Sequence, residues 1–116
     1  MEEVSVMIGQ RDLLLIPFPF SDFSGSKIRP VLVLSKSSFN VSSNDVIVCG
    51  ITTNTEKNHY SVSITNKDLE QGQLHSACNI KVENILKVDK RMVIKRIGRL
   101  KESAFMNVME KLRSLF

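Results

Sequence analysis

Apolar residues along this chain fall in short runs separated by polar breaks, a pattern that predicts strands in all but the last segment. Leu13-Leu14-Leu15-Ile16, within Asp12–Phe18, is stopped by Pro17 and Pro19 and reads as a first strand. Arg29 to Lys36 is a second, rich in Val and Leu and apolar enough for burial on both faces. Ser37 to Asn44 is polar and predicts an exposed loop. Asp45 to Thr52 gives a third strand. Tyr60 to Thr65 alternates, with Tyr60, Val62 and Ile64 sharing one face, as a half-buried strand requires. Asn66 to Gly72 opens on a capping residue and ends on glycine, consistent with one helical turn. Cys78–Val82, Ile85–Val88 and Val93–Ile97 read as further strands. The period changes only at the end: Phe105, Val108, Met109, Leu112 and Leu115 or Phe116 form one helical stripe from about Glu102 onward. The expected fold class is therefore mainly β with a C-terminal α-helix, a strongly bent sheet or small barrel carrying the helix on its surface.

Length and charge narrow the picture a little. A chain of 116 residues is long enough for one cored domain, here 1–116, with residues 1–10 as an N-terminal extension. The formal charge of +4 favours an anionic partner, but no block of like charges singles one out. Cys49 and Cys78 lie far apart without CxxC spacing, so neither a zinc site nor a disulfide framework is indicated; Cys49 suits a small buried position. No cluster has metal-ligand spacing, and neither a P-loop nor GxGxxG occurs, so no cofactor is expected. An acidic start and apolar runs too short to span a bilayer predict a cytoplasmic protein.

Candidate chemistry sits at two strand ends. The stretch Ser21-Asp22-Phe23-Ser24-Gly25-Ser26-Lys27-Ile28-Arg29-Pro30 puts a small polar loop before a cation at the mouth of a strand. Loop N–H groups, the point charge of Lys27 and the forked guanidinium of Arg29 suit a phosphate. The same composition also serves a solvated hairpin tip. Gly50-Ile51-Thr52-Thr53-Asn54-Thr55 offers hydroxyl and amide donors at the end of the third strand, where β-propensity and turn chemistry alone would select the same residues. His59 and His75, both in polar segments, are the candidates for proton transfer, or else exposed bystanders.

Taken in order, these blocks resemble the MazF/PemK (Kid) family of toxin–antitoxin ribonucleases. The resemblance runs from Arg11 to Phe116. It is carried by Leu15-Ile16-Pro17-Phe18-Pro19-Phe20-Ser21-Asp22, by Gly25-Ser26-Lys27-Ile28-Arg29-Pro30-Val31-Leu32-Val33-Leu34-Ser35, and by Val46-Ile47-Val48-Cys49-Gly50-Ile51-Thr52. Gly72-Gln73-Leu74-His75-Ser76, Ile85-Leu86-Lys87-Val88-Asp89 and Ile97-Gly98-Arg99-Leu100 follow at family spacing. The resemblance implies a homodimeric, SH3-like (CcdB/PemK-type) barrel in the cytoplasm, neutralised by a cognate antitoxin. It also implies metal-independent cleavage of single-stranded RNA at a short sequence, by attack of a ribose 2′-OH on its adjacent phosphate. Products would carry 2′,3′-cyclic phosphate and 5′-OH ends. Arg29 and Thr52 match the family's reaction site. Asp22, Ser24, Gly25, Ser26 and Lys27 of the first loop, with Thr53, His75, Lys81 and Glu83, are the implied substrate-binding positions. Lys81-Val82-Glu83 stands where some relatives carry Arg-x-Asp, an exchange that keeps the charges and alters the geometry. The first loop is shorter than in some relatives, with Asp22 its only acid, so no cut site transfers. Two alternatives differ in class: a toxin of related fold that poisons DNA gyrase by protein contact through its C-terminal helix end, and an inactive dimeric binding module.

Overall fold

A computed structural model describes residues 8–19, 26–54 and 58–116. Among these, seven strands form one sheet: β1 (Asp12–Pro19), β2 (Ser26–Val33), β3 (Asp45–Thr52), β4 (Ser61–Ile64), β5 (Leu69–Gly72), β6 (Cys78–Asp89) and β7 (Lys95–Leu100). Their spatial order is β4-β6-β3-β2-β1-β7-β5, and every pairing is antiparallel. Two helices complete the fold, α1 (Ser37–Ser42) and α2 (Glu102–Ser114). The predicted mainly β architecture with a C-terminal helix is what the chain adopts.

Alternation along the strands divides the sheet into two apolar faces. Leu13, Leu32, Cys49, Ile51, Ile80 and Val82 face α2, whose Ala104, Phe105 and Val108 are buried against them. Leu14, Ile16, Val31, Val33, Val46 and Val48 form a smaller cluster on the opposite face, joined by Ile8 from the segment preceding β1. The α2 stripe continues through Met109, Leu112 and Leu115, whereas Phe116 is 97% exposed and takes no part. Glu102 in the first turn and Lys111 and Arg113 in the last complement the helix dipole.

The strand pattern needs five corrections, the first a shift: the strand read as Arg29–Lys36 runs over Ser26–Val33 as β2. Ser37–Ser42 is a helix, not a loop. Its buried Asn40 accepts from the Ser35 hydroxyl and donates to the carbonyls of Ser35 (3.1 Å) and Ile8 (3.4 Å), contacts that propensity cannot register. Asn66–Gly72 supplies only a 3-10 turn over Asn66–Asp68, closed by the Thr65/Asp68 capping box, and then becomes β5. The two segments read as 78–82 and 85–88 are one strand, β6, with a bulge opposite Cys49/Gly50 that shifts its register. The segment read as 93–97 forms its strand later, as β7.

A buried carboxylate closes the base of the sheet. Asp12, with no exposed surface, accepts from the Gly9 N–H (2.8 Å), Arg99 Nε (2.9 Å) and Arg96 Nη1 (3.4 Å). These bonds tie the entry of β1 to β7, and the charge tolerates burial only because all three donors meet it.

Candidate active site

Pro30 decides where the site opens. It pairs with Leu15 of β1, but the ladder from β2 to β3 begins one residue later, at Val31↔Gly50. Proline brings no backbone N–H, and the two strands part on its N-terminal side. Continuing that register by two residues sets Arg29 opposite Thr52 across the parting. Both side chains lie on the face of Val31 and Val48, because alternate residues of a strand share a face.

A polar row extends from this pair across the sheet. Thr52 pairs with Asn79 of β6, and Asn79 with Ser63 of β4. In the adjacent row Gly50 pairs with Lys81, and Lys81 with Ser61. On the other side Ile16 pairs with Arg29, so the row passes into the smaller apolar cluster. The face therefore changes from Ser, Asn, Lys, Thr and Arg to Ile and Val within one sheet. Gly50 serves a packing purpose here: a Cβ would stand 2.9 Å from Asn84 Nδ2, so its absence admits the Asn84 amide from the β6 bulge. Asn84 and Asn79 were not singled out from the sequence. Nothing short of strand register shows that either meets β3.

Thr52 is held for donation. Its Oγ1 accepts the Asn54 backbone N–H at 3.1 Å, which leaves the hydroxyl proton for an outward acceptor. Arg29 is partly buried with its Nε atom shielded from solvent, and Lys27 is exposed two residues earlier. Guanidinium, hydroxyl and the nearby Lys81 ammonium form a donor set suited to an anionic group with several oxygens.

The remaining sequence candidates are distributed differently. Thr53 and His75 lie on the opposite face, lining a cavity of about 300 Å³ with Leu15, Pro30, Cys78 and Lys95. Each of the dipeptides Arg29-Pro30 and Thr52-Thr53 thus straddles the sheet, one residue to each face. His59 stands beside α2, where its carbonyl accepts from Lys111 Nζ (2.9 Å) and its ring meets Tyr60 edge-on at 4.8 Å. Glu83 accepts from Asn58 Nδ2 at 3.3 Å. Burial chiefly, and then the Glu83 charge, push the Cys49 thiol up to about 12, and burial raises Cys78. Both cysteines are free and buried, hence poor nucleophiles. Asp22, Ser24 and Gly25 lie outside the described residues; Ser26 opens β2. Among the described residues, no helix is long and apolar enough to cross a membrane, and no three or more His, Cys, Asp and Glu side chains cluster so as to hold a metal ion.

Residues 9–116 match the family model of the PemK-like, MazF-like toxin of type II toxin-antitoxin systems. The chain belongs to that family. Solved structures agree on the fold. MazE-MazF (Form-III) from Deinococcus radiodurans superposes with a TM-score of 0.75 at 18% identity, covering 93% of this chain and 94% of that one. The Mycobacterium tuberculosis toxin MazF-mt6 gives 0.69 at 19%, covering 87% and 93%. An endoribonuclease in complex with its cognate antitoxin, from a mycobacterial species, gives 0.73 at 15%, covering 92% of each chain. At such identities the likeness is one of fold. No curated protein matches the chain.

Proposed function

We propose that this toxin is a metal-independent endoribonuclease that cuts single-stranded RNA at a short sequence by internal transesterification. The observation that supports the reading is that Arg29 and Thr52 share one sheet face beside the point where the β2–β3 ladder ends. The ribose 2′-OH loses its proton as its oxygen attacks the adjacent phosphorus, and the P–O5′ bond breaks as the 5′-oxygen takes up a proton, so negative charge gathers on the non-bridging oxygens in between. Arg29 meets that charge with a permanently protonated fork, and Thr52 adds a hydroxyl donor; both act most strongly as the charge develops. Lys81, one row away, adds positive charge that draws the strand along the sheet. Lys27 stands at the same strand end, while Thr53, His75 and the cavity receive a neighbouring nucleotide. The solved relative titled an endoribonuclease with its cognate antitoxin supports this reading and a neutralising partner for this chain as well.

Domain 1–116 acts in the cytoplasm as a homodimer, two copies widening the groove beyond what one small barrel offers. The test is incubation of purified protein with a long defined RNA in EDTA, followed by analysis of the fragment ends. Cyclic phosphate and 5′-OH ends are expected. Cleavage that needs added Mg²⁺ and leaves 5′-phosphates would overturn the chemistry, and intact RNA would favour a toxin acting by protein contact.

A further inference from the structure

We infer that Asn79 is a positioning residue for the Thr52 hydroxyl, acting through the Asn54 backbone; the inference rests on the reading of Thr52 as a phosphate donor. Asn79 occupies a strand position flanked by core residues, Cys78 and Ile80, and is itself only 4% exposed. An amide so buried is costly unless its groups are bonded. Here both ends are. Nδ2 donates to the Asn54 carbonyl at 2.7 Å, and Oδ1 accepts from Ser63 Oγ at 2.7 Å. The orientation of the amide follows from its partners, since a flipped Asn79 would set two carbonyl oxygens against each other.

What these bonds hold is the turn leaving β3. Thr53 and Asn54 are exposed, so burial does not anchor them. Asn54 nevertheless supplies the N–H that Thr52 Oγ1 accepts. A relay therefore runs from a buried amide, through one peptide carbonyl and the N–H of the same residue, to the reacting face. It fixes the Thr52 side-chain rotamer and commits one of its lone pairs inward, leaving the proton to point at substrate. Loosening the Asn54 carbonyl loosens both.

The test is a double-mutant cycle with Asn79→Leu and Thr52→Val, read by single-site RNA cleavage and by amide hydrogen exchange at Asn54. Asn79→Leu is expected to lower kcat by about 10-fold, less than the ~10²-fold of a full 1 Å misplacement, with KM nearly unchanged. In the Thr52→Val background the same substitution should cost less than about twofold, because the group it orients is already gone. Asn54 exchange should speed up by about 10-fold or more while the Val48 amide stays protected. Ser63→Ala, at an exposed edge position, keeps the Nδ2 bond and should give a smaller loss of the same kind, which covers failure of Asn79→Leu to fold. Equal losses in both backgrounds, or a folded Asn79→Leu protein with wild-type kcat, would overturn the inference. If wild-type protein leaves RNA intact, the functional reading fails and the exchange arm still decides: unchanged Asn54 exchange in Asn79→Leu overturns the relay.

Discussion

Arg29 and Thr52 supply donors of different kinds, and substitutions should separate them. Arg29→Ala is expected to lower kcat by about 10²–10³-fold, the usual cost of losing a transition-state donor. Arg29→Lys should recover little, since an ammonium keeps the charge but not the fork. Thr52→Val, close in shape, should lose about 10-fold, in keeping with one neutral hydrogen bond of about 1.4 kcal/mol. Quantitative cleavage of one defined RNA checks all three, and a folded Arg29→Ala protein cutting at the normal rate would move the site elsewhere. Both are candidates from the sequence, Arg29 as a strand-end cation beside a small polar loop and Thr52 as a strand-end hydroxyl, and it is the family resemblance that joins them. Asn79 was not legible there: its role depends on Ser63 and Asn54, which lie 16 and 25 residues away along the chain. A third residue makes a pH prediction. Asp89 is held down to about 2 from its ordinary 3.8 by the Arg91 guanidinium, and then by the Arg91 N–H that it caps. A carboxyl lower in the folded state adds stability above about pH 4 and loses it as pH falls toward 2. Asp89→Asn should therefore flatten the decline of the urea midpoint across that window; an unchanged slope would show that the pair contributes nothing.

Elements reveal why some of the fold could be read and some could not. β1 and β3 follow from their apolar runs, which bury both faces of the sheet, and α2 from its helical stripe. α1 has no such stripe, and its formation depends on the buried Asn40 and on Lys90 Nζ, which donates to the Asn40 carbonyl at 2.7 Å. β5 is equally silent: of Leu69–Gly72 only Leu69 is buried, and the strand exists because β7 offers an edge. That edge depends on two glycines. Gly72 has φ +88°, and a Cβ there would overlap the Ile97 carbonyl. At Gly98 a Cβ would stand 2.6 Å from the Gln71 carbonyl oxygen. Neither neighbour can rotate away, because both are backbone. Gly72→Ala and Gly98→Ala should each cost about 2 kcal/mol or more, lowering Tm by roughly 8 °C. Gly50→Ala meets only the movable end of Asn84, so its Tm should fall less than half as far while cleavage suffers from the displaced amide. Calorimetry on the three variants checks the ranking, and a Gly72→Ala protein as stable as wild type would contradict the close approach of β5 to β7.

At the scale of the whole molecule, the proposed function calls for two partners, another copy and an inhibitor. The chain carries +4 overall, with Lys27 and Arg29 near the start of β2 and Lys81 on β6. Elsewhere the surface leaves Phe39 and Val41 of α1 exposed, with Met92 and Ile94 between β6 and β7. The Lys90–Asn40 bond links the two segments that carry these side chains. Under the proposed homodimer, these exposed apolar groups are the ones burial against a second copy would cover. A symmetric dimer should therefore persist at micromolar concentration, and Val41→Asp with Met92→Asp should weaken it without unfolding the barrel. Multi-angle light scattering measures both, and a fully active monomer would defeat the claim. The inhibitor should be an acidic segment that folds onto the groove and competes with RNA for Arg29 and Lys27. Occlusion of that kind is stoichiometric and weakens with salt, since displacing bound counterions contributes to both ligands' binding. Titrating antitoxin into a cleavage assay at two salt concentrations would show an end point of one inhibitory segment per blocked groove, with weaker binding at the higher salt. An antitoxin that bound the toxin and left cleavage intact would place the inhibitor on another face.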